Sequence, residues 1–453
     1  MKSPARIRRL LALQLGVVAM LLPLASGTPA QTDADWRSQA AAASQQPQPA
    51  GSALDQFLQS RGQPVADPLA PASLPFDAQI FEGMAMQLVA DQRIPGFALA
   101  IVQDGRILSA RGYGVTDTQR PEPVDAHTVF RLASLSKSFA GTLGGMLVED
   151  GTLDWQQPVV RYVPDFRLQN AEFTSRLSIG NILSQSTGLP RNAYDRDIER
   201  NASYQTVRGK LATSPLSCGP GECYSYQNVA FSVFGDVVYS ATGRLYDDNV
   251  QRRILKPLGM HDASLGLEGI TGSPRWAKPH VRTAQGWRPV MPKPTYYRLA
   301  PAASIQDMAQ YLLAQTGHRP DVLSSQLLAS VHAIRVQTPN ELRSSSWRRE
   351  RLTAAGYGMG WRIYDYAGHP MYFHGGAVQG YRAAMAILPD RNLGVVMLWN
   401  SESSLPSGLL PTILDSAIGL PQTAWLNLAP LPSTEASDEL SGDASTTVNA
   451  RPN

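Results

Sequence analysis

The sequence predicts an α+β fold, in which an antiparallel sheet formed by both chain ends is flanked by helices and holds an inserted, mainly helical lobe at about 135–270. Three observations predict it. Phe97 to Val102 and Ile107 to Val115 are apolar segments on either side of Asp104-Gly105, a strong two-residue hairpin signal. Arg382 to Leu388 and Leu393 to Trp399 flank Pro389-Asp390-Arg391-Asn392, a second hairpin near the other end. Between the hairpins the apolar spacing is mostly helical.

In chain order, residues 1–30 read as a secretory signal. Arg6 to Arg9 supply the basic start, Leu10 to Ala25 the apolar run, and Ala25, Ser26, Gly27 and Ala30 the small residues of a cleavage site. The apolar run contains Pro23 and is shorter than the ~20 residues that span a bilayer, so no stable membrane span is expected once the signal is cleaved. A secreted, periplasmic location follows as an expectation. Residues 31–75, rich in Ala, Gln and Pro, read as a flexible spacer with one short helix near Leu54 to Leu58. Residues 76–425 are the expected folded domain, and 426–453 a disordered tail of small and acidic residues.

Within the folded part, Phe76 to Asp91 carries apolar residues at helical spacing (Ile80, Phe81, Met84, Leu88). Ser134 to Asp150 reads as a helix stopped by Gly151, and Val229 to Ser240 and Asp247 to Ile254 are the clearest helices of the lobe. Composition bounds the partners. The chain has 40 Lys and Arg against 37 Asp and Glu, for a net charge of +3, and four of the basic residues lie in the first ten positions. A nearly neutral mature protein has no basic surface written into it for nucleic acid, so none is expected as a partner. The only cysteines, Cys218 and Cys223, are most simply a disulfide in an oxidising compartment; metal ligation is the alternative, with no histidine nearby to complete a site.

Three short motifs carry chemistry. Ser134-Leu135-Ser136-Lys137 is the only Ser-x-x-Lys, and on a helix it sets the lysine ammonium beside the serine hydroxyl, a weak nucleophile without such a neighbour. At a helix start the free backbone N–H groups favour a developing negative charge. Tyr226-Gln227-Asn228 is the only Tyr-x-Asn; a phenol near an ammonium is pushed toward phenolate and serves as a base, while the amide holds the lysine and a substrate carbonyl. His374-Gly375-Gly376 is the only His-x-Gly, with glycines that let a ligand approach the backbone. Each alone is close to what chance gives; the three in this order are not.

With these motifs the chain resembles the penicillin-recognising serine hydrolases, in the branch of class C β-lactamases, D-alanyl-D-alanine carboxypeptidases, D-aminopeptidases and family VIII esterases. Lesser segments share the resemblance: Ile182 to Pro190, Pro257-Leu258-Gly259-Met260 and Tyr357-Gly358-Met359-Gly360-Trp361. The resemblance implies Ser134 as acylated nucleophile, Lys137 as proton relay and Tyr226 as general base. It also implies Asn228, His374, Gly375, Gly376 and Ala377 as substrate-binding residues, with the Ser134 and Ala377 N–H groups as oxyanion hole. His374 stands where class C β-lactamases carry a lysine, which disfavours recognition of a substrate carboxylate, and Gln185 stands where many members have histidine. The expected activity is hydrolysis of an amide, β-lactam or ester through an acyl-enzyme on a small-molecule or cell-wall peptide substrate, without cofactor or metal. A small-ester carboxylesterase, or a penicillin-binding or sensing protein that turns over negligibly, is the alternative. The loops around 191–217 and 270–300 are expected to shape the pocket.

Overall fold

The computed structural model describes residues 76–200, 202–293, 299–426 and 428; the expected signal, the spacer with its short helix, and nearly all of the tail lie outside the described residues. The first helix, α1 (Ala78–Val89), is capped by Asp77, whose carboxylate accepts the Gln79 N–H at 2.8 Å. Strands β1 (Gly96–Gln103) and β2 (Arg106–Gly114) form the expected hairpin. After the short strand β3 (Phe130–Arg131), α2 (Ser136–Glu149) opens the helical part, followed by α3 (Asn228–Thr242).

Short strands β4 (Ser264–Leu265) and β7 (Pro301–Ala303) join β3 in a small three-stranded sheet, and β5 (His280–Thr283) pairs with β6 (Gly286–Pro289). Helix α4 (Ile305–Gln315) then precedes the remaining strands: β8 (Val336–Gln337), β9 (Leu352–Tyr357), β10 (Arg362–Tyr366), β11 (His369–Val378), β12 (Tyr381–Leu388) and β13 (Leu393–Trp399). Helix α5 (Leu409–Ala417) follows them.

The main sheet has eight antiparallel strands in the order β2-β1-β13-β12-β11-β10-β9-β8, so the early hairpin docks against the late one, with Phe97 opposite Trp399 and Gln103 opposite Leu393. The continuous apolar runs of β1 and β13 have a reason in this packing: every residue of both strands is buried, because helices cover both faces. On one face Ala98, Ala100, Val396 and Leu398 pack with Phe139 and Leu143 of α2 and Met308 and Leu312 of α4. On the other, Leu99, Val395 and Met397 meet Phe81 and Leu88 of α1 and Ile413 and Leu414 of α5.

Two local details differ from expectation. Helix α2 begins at Ser136, so Ser134 sits in a preceding 3-10 turn (Ala133–Leu135). The strands β8 to β10, with Pro339 and a run of serines and arginines between β8 and β9, carry no clear alternation in sequence, yet they complete the sheet. No described helix is long and apolar enough to cross a membrane.

Candidate active site

Ser134 is held by strain and by close packing. Ala133, just before it, takes φ +50°, a left-handed conformation that costs a non-glycine residue about 1 kcal/mol or more. Strand β11 presses against this turn at Gly376, where a Cβ would strike the Leu132 carbonyl oxygen. The Tyr357–Trp361 segment does the same to α2: a Cβ on Gly360 would strike the Lys137 carbonyl oxygen. The glycines of two sequence segments are therefore what lets the sheet reach the nucleophile turn.

Lys137 is buried, and its Nζ lies 3.4 Å from Ser134 Oγ and donates to Asn228 Oδ1 at 3.0 Å. The same Nζ lies 4.6 Å from the centroid of the Tyr226 ring, and the Tyr226 hydroxyl hydrogen-bonds Ser134. Residues far apart in the chain are thus brought to one point. Burial sets the proton affinities. It holds Lys137 well below the usual lysine range, with Asp195 opposing the shift and Arg362 reinforcing it. It also raises the Tyr226 phenol, although the Ser134 hydrogen bond and Arg362 pull the other way. Desolvation therefore opposes the expected push of Tyr226 toward phenolate by a neighbouring ammonium, and burial displaces both groups toward their neutral forms.

Ser134, Tyr226, Asn228, Gly375, Gly376 and Ala377 line a single cleft of about 930 Å³. Lys137 and His374 do not line it. His374, expected to bind substrate, lies behind the wall with both ring nitrogens engaged. Its Nδ1 is 2.7 Å from the Gly375 carbonyl oxygen and its Nε2 3.1 Å from the Tyr357 hydroxyl. A carbonyl oxygen only accepts, so Nδ1 carries the proton and Nε2 accepts from Tyr357. Burial, Arg362 and Lys137 hold the imidazole well below its ordinary value, so it is neutral. This histidine braces the strand instead of offering charge to a ligand.

Several residues of the site carried no motif. Asp195 accepts from Asn228 Nδ2 at 2.7 Å, which turns the amide oxygen toward Lys137. Gln185 holds the Tyr226 segment from both sides: its carbonyl accepts the Ser225 N–H at 2.8 Å and its Oε1 the Gln227 N–H at 2.7 Å. Buried Glu341 pairs with both part-buried Arg362 and Arg348, and these hold its carboxyl below its usual value despite burial. Arg191, Asp195 and Arg196 place the 191–217 loop in the cleft wall as expected. The 270–300 loop contributes no described lining residue; residues 344–348 do instead. The three motif spacings signalled the residues around Ser134, Tyr226 and His374; Asp195, Glu341, Arg348 and Arg362 sit in short helical segments and at the start of β10, where the composition resembles ordinary surface.

Cys218 and Cys223 form a disulfide, with Cα atoms 6.2 Å apart, that closes the loop just before Tyr224. Among the described residues no cluster of metal-ligating side chains occurs.

The Beta-lactamase family model matches residues 77–417, about three quarters of the chain. The chain belongs to the Beta-lactamase family. Its curated relatives in this family include Unguisins hydrolase ungD' of Aspergillus campestris, 28% identical over 340 residues, covering 72% of this chain and 62% of the relative. They also include Penicillin-binding protein 4 of Amycolatopsis lactamdurans, 28% identical over 72% of this chain and 86% of that protein. The chain thus spans less than two thirds of the length of the first of these. Among solved structures, the octameric penicillin-binding protein homologue from Pyrococcus abyssi superposes with a TM-score of 0.67 at 23% identity, over 76% of this chain and 78% of that one. A class C beta lactamase gives 0.60 at 20%, over 76% and 99%. These likenesses show the β-lactamase/transpeptidase-like fold, and the family is one of serine hydrolases.

Proposed function

We propose that this Beta-lactamase family member is an exported serine hydrolase that forms an acyl-enzyme on Ser134 and cleaves amide bonds of D-amino-acid peptides or β-lactams. The observation that carries the reading is the convergence of Ser134 Oγ, Lys137 Nζ and the Asn228 amide at 3.4 and 3.0 Å beside the Tyr226 hydroxyl, with Ser134 and Tyr226 open to one cleft. Ser134 Oγ attacks the carbonyl carbon and its proton passes to the Lys137 amine. The oxyanion is held by the N–H groups of Ser134 and Ala377. The carbon–nitrogen bond breaks as Tyr226 gives its proton to the leaving amine, and Lys137 returns a proton to Tyr226. Water then attacks the ester by the reverse route, releasing the acid and free Ser134.

The amide preference is supported by the relatives' names, which include an Unguisins hydrolase, a penicillin-binding protein, and a D-stereospecific amidohydrolase from Streptomyces among similar folds. Export is supported by the leader-like first thirty residues and by the Cys218–Cys223 bridge. The catalytic unit in this reading is residues 76–425. The test is a parallel rate measurement with a chromogenic cephalosporin, a D-alanyl-D-alanine peptide and a p-nitrophenyl ester on wild type and Ser134→Ala. Turnover of the peptide or cephalosporin that disappears in Ser134→Ala is expected; covalent labelling with no product release would make the protein a penicillin-binding sensor instead.

A further inference from the structure

A second cavity of about 810 Å³ begins where the first ends. Arg191, Tyr226, Ser344, Arg348 and Arg362 line both, so the two chambers meet at the proposed proton donor itself. Beyond that junction, one wall is the disulfide-closed loop, including Glu222 and Cys223. This wall is held in place: Glu222 accepts the Gly219 N–H at 2.8 Å, and the Gly221 N–H reaches the Ser186 carbonyl at 2.7 Å. The opposite wall is residues 334–341, which contain β8. That strand ends the main sheet, pairs with β9 through only Val336 and Gln337, and has no further strand on its outer side among the described residues.

We infer that the second chamber receives the leaving-group side of an oligopeptide substrate, so that this protein cleaves amides inside a longer peptide and not only at a terminal residue. The inference rests on the serine-hydrolase reading above and deepens it. Three points support it. Ser134, Gly376 and Ala377 line only the first chamber while Tyr226 lines both, so the second extends from the general acid away from the nucleophile, on the side where the leaving nitrogen takes its proton. Either cavity alone has the size of a whole small-ligand site, and a single leaving residue leaves the second one largely empty. An edge strand along its wall suits an extended peptide, which adds main-chain hydrogen bonds to such an edge, and the Arg and Glu side chains at the junction offer partners for peptide polar groups.

The test uses N-acetyl-D-alanyl and N-acetyl-L-alanyl substrates whose leaving amine is ammonia, one residue or three residues, with p-nitrophenyl acetate as the small reference. In wild type, kcat/KM is expected to rise at least tenfold from one to three leaving residues. Gln337→Trp, which fills the chamber from the one exposed position of β8, is expected to bring that gain below twofold with p-nitrophenyl acetate turnover unchanged. Should Gln337→Trp lose the reference activity, Asn340→Trp, on the same wall, is read in its place. A flat or falling length series, a gain that survives both tryptophan variants, or no amide turnover at all overturns the inference. Absence of Ser134-dependent p-nitrophenyl acetate turnover in wild type would be a separate result: it removes the serine-hydrolase reading and the chamber assignment with it.

Discussion

The cleft around Ser134 takes its reactive groups from elements clamped by glycine contacts and backbone hydrogen bonds, whereas the chamber beyond Tyr226 is walled by a two-residue edge strand, a short bridged loop and paired arginines. The first region fixes proton affinities by burial: Lys137, Tyr226 and His374 are all displaced toward their neutral forms. In the second, Arg348 and Arg362 are both paired with the Glu341 carboxylate. The contrast teaches a division of labour. Chemistry that needs a dry, neutral relay sits on rigid elements, and recognition of a long polar substrate sits where polar groups are paired and the sheet edge is open.

The difference can be broken from either side. Tyr226→Phe removes the hydroxyl shared by both regions and is expected to lower kcat by about 10²–10⁴-fold with folding intact; an unchanged single-turnover rate would remove Tyr226 from the proton path. Glu341→Ala leaves the part-buried Arg362 and Arg348, which face the cleft, without their carboxylate and is expected to cost about 1–3 kcal/mol in urea unfolding. A loss under 1 kcal/mol would mean the cluster is solvated. His374→Lys puts an ammonium into a buried site already facing Arg362 and Lys137, and should destabilise by roughly 3 kcal/mol without favouring carboxylate-bearing substrates. A stable variant with a shifted ratio of specificity constants would restore a substrate-facing role for residue 374. Gln185→Ala deprives the Gln227 N–H of its buried acceptor and is expected to cost about 1–3 kcal/mol and to lower kcat more than it changes KM.

The smallest effect is a pH slope. Burial depresses His280 and His374, and holds His332 at about 3. Below the unfolded value near 6.5 the unfolded chain therefore binds more protons, and stability is lost as pH falls from 6.5 toward 4. Asp307, raised by burial to about 6 from an ordinary 3.8, works in the opposite sense between those values, since there the native state holds the extra proton. Three histidines against one carboxyl leave a net loss on acidification. His332→Phe should flatten the thermal-midpoint profile between pH 7 and 5; an unaltered slope would show that residue 332 titrates normally.

Much of this architecture was legible because it repeats local rules. The Asp104-Gly105 turn and the continuous apolar runs of β1 and β13 announced a sheet shared by the two chain ends, and lysine three residues after serine announced a side-chain pair. What was not legible is set by tertiary context. The phenol and amine shift in opposite directions because both are desolvated, a fact that spacing does not carry. His374 turns away from the cleft because the Gly375 carbonyl and Tyr357 hydroxyl claim its nitrogens. Strands β8 to β10 and the Glu341 cluster were missed since their polar residues, read one at a time, look like surface. Gln185, with no evident role in sequence, proves to hold the backbone on both sides of Tyr226.

The most direct trial of the whole account is intact-mass and peptide mapping of the protein after brief exposure to a fluorescent penicillin or an activated ester. A single acyl adduct on the peptide containing Ser134, absent from Ser134→Ala, is the predicted result. An adduct on any other residue, or undiminished substrate hydrolysis by the alanine variant, would contradict the claim that these separated stretches of chain converge to make Ser134 the nucleophile.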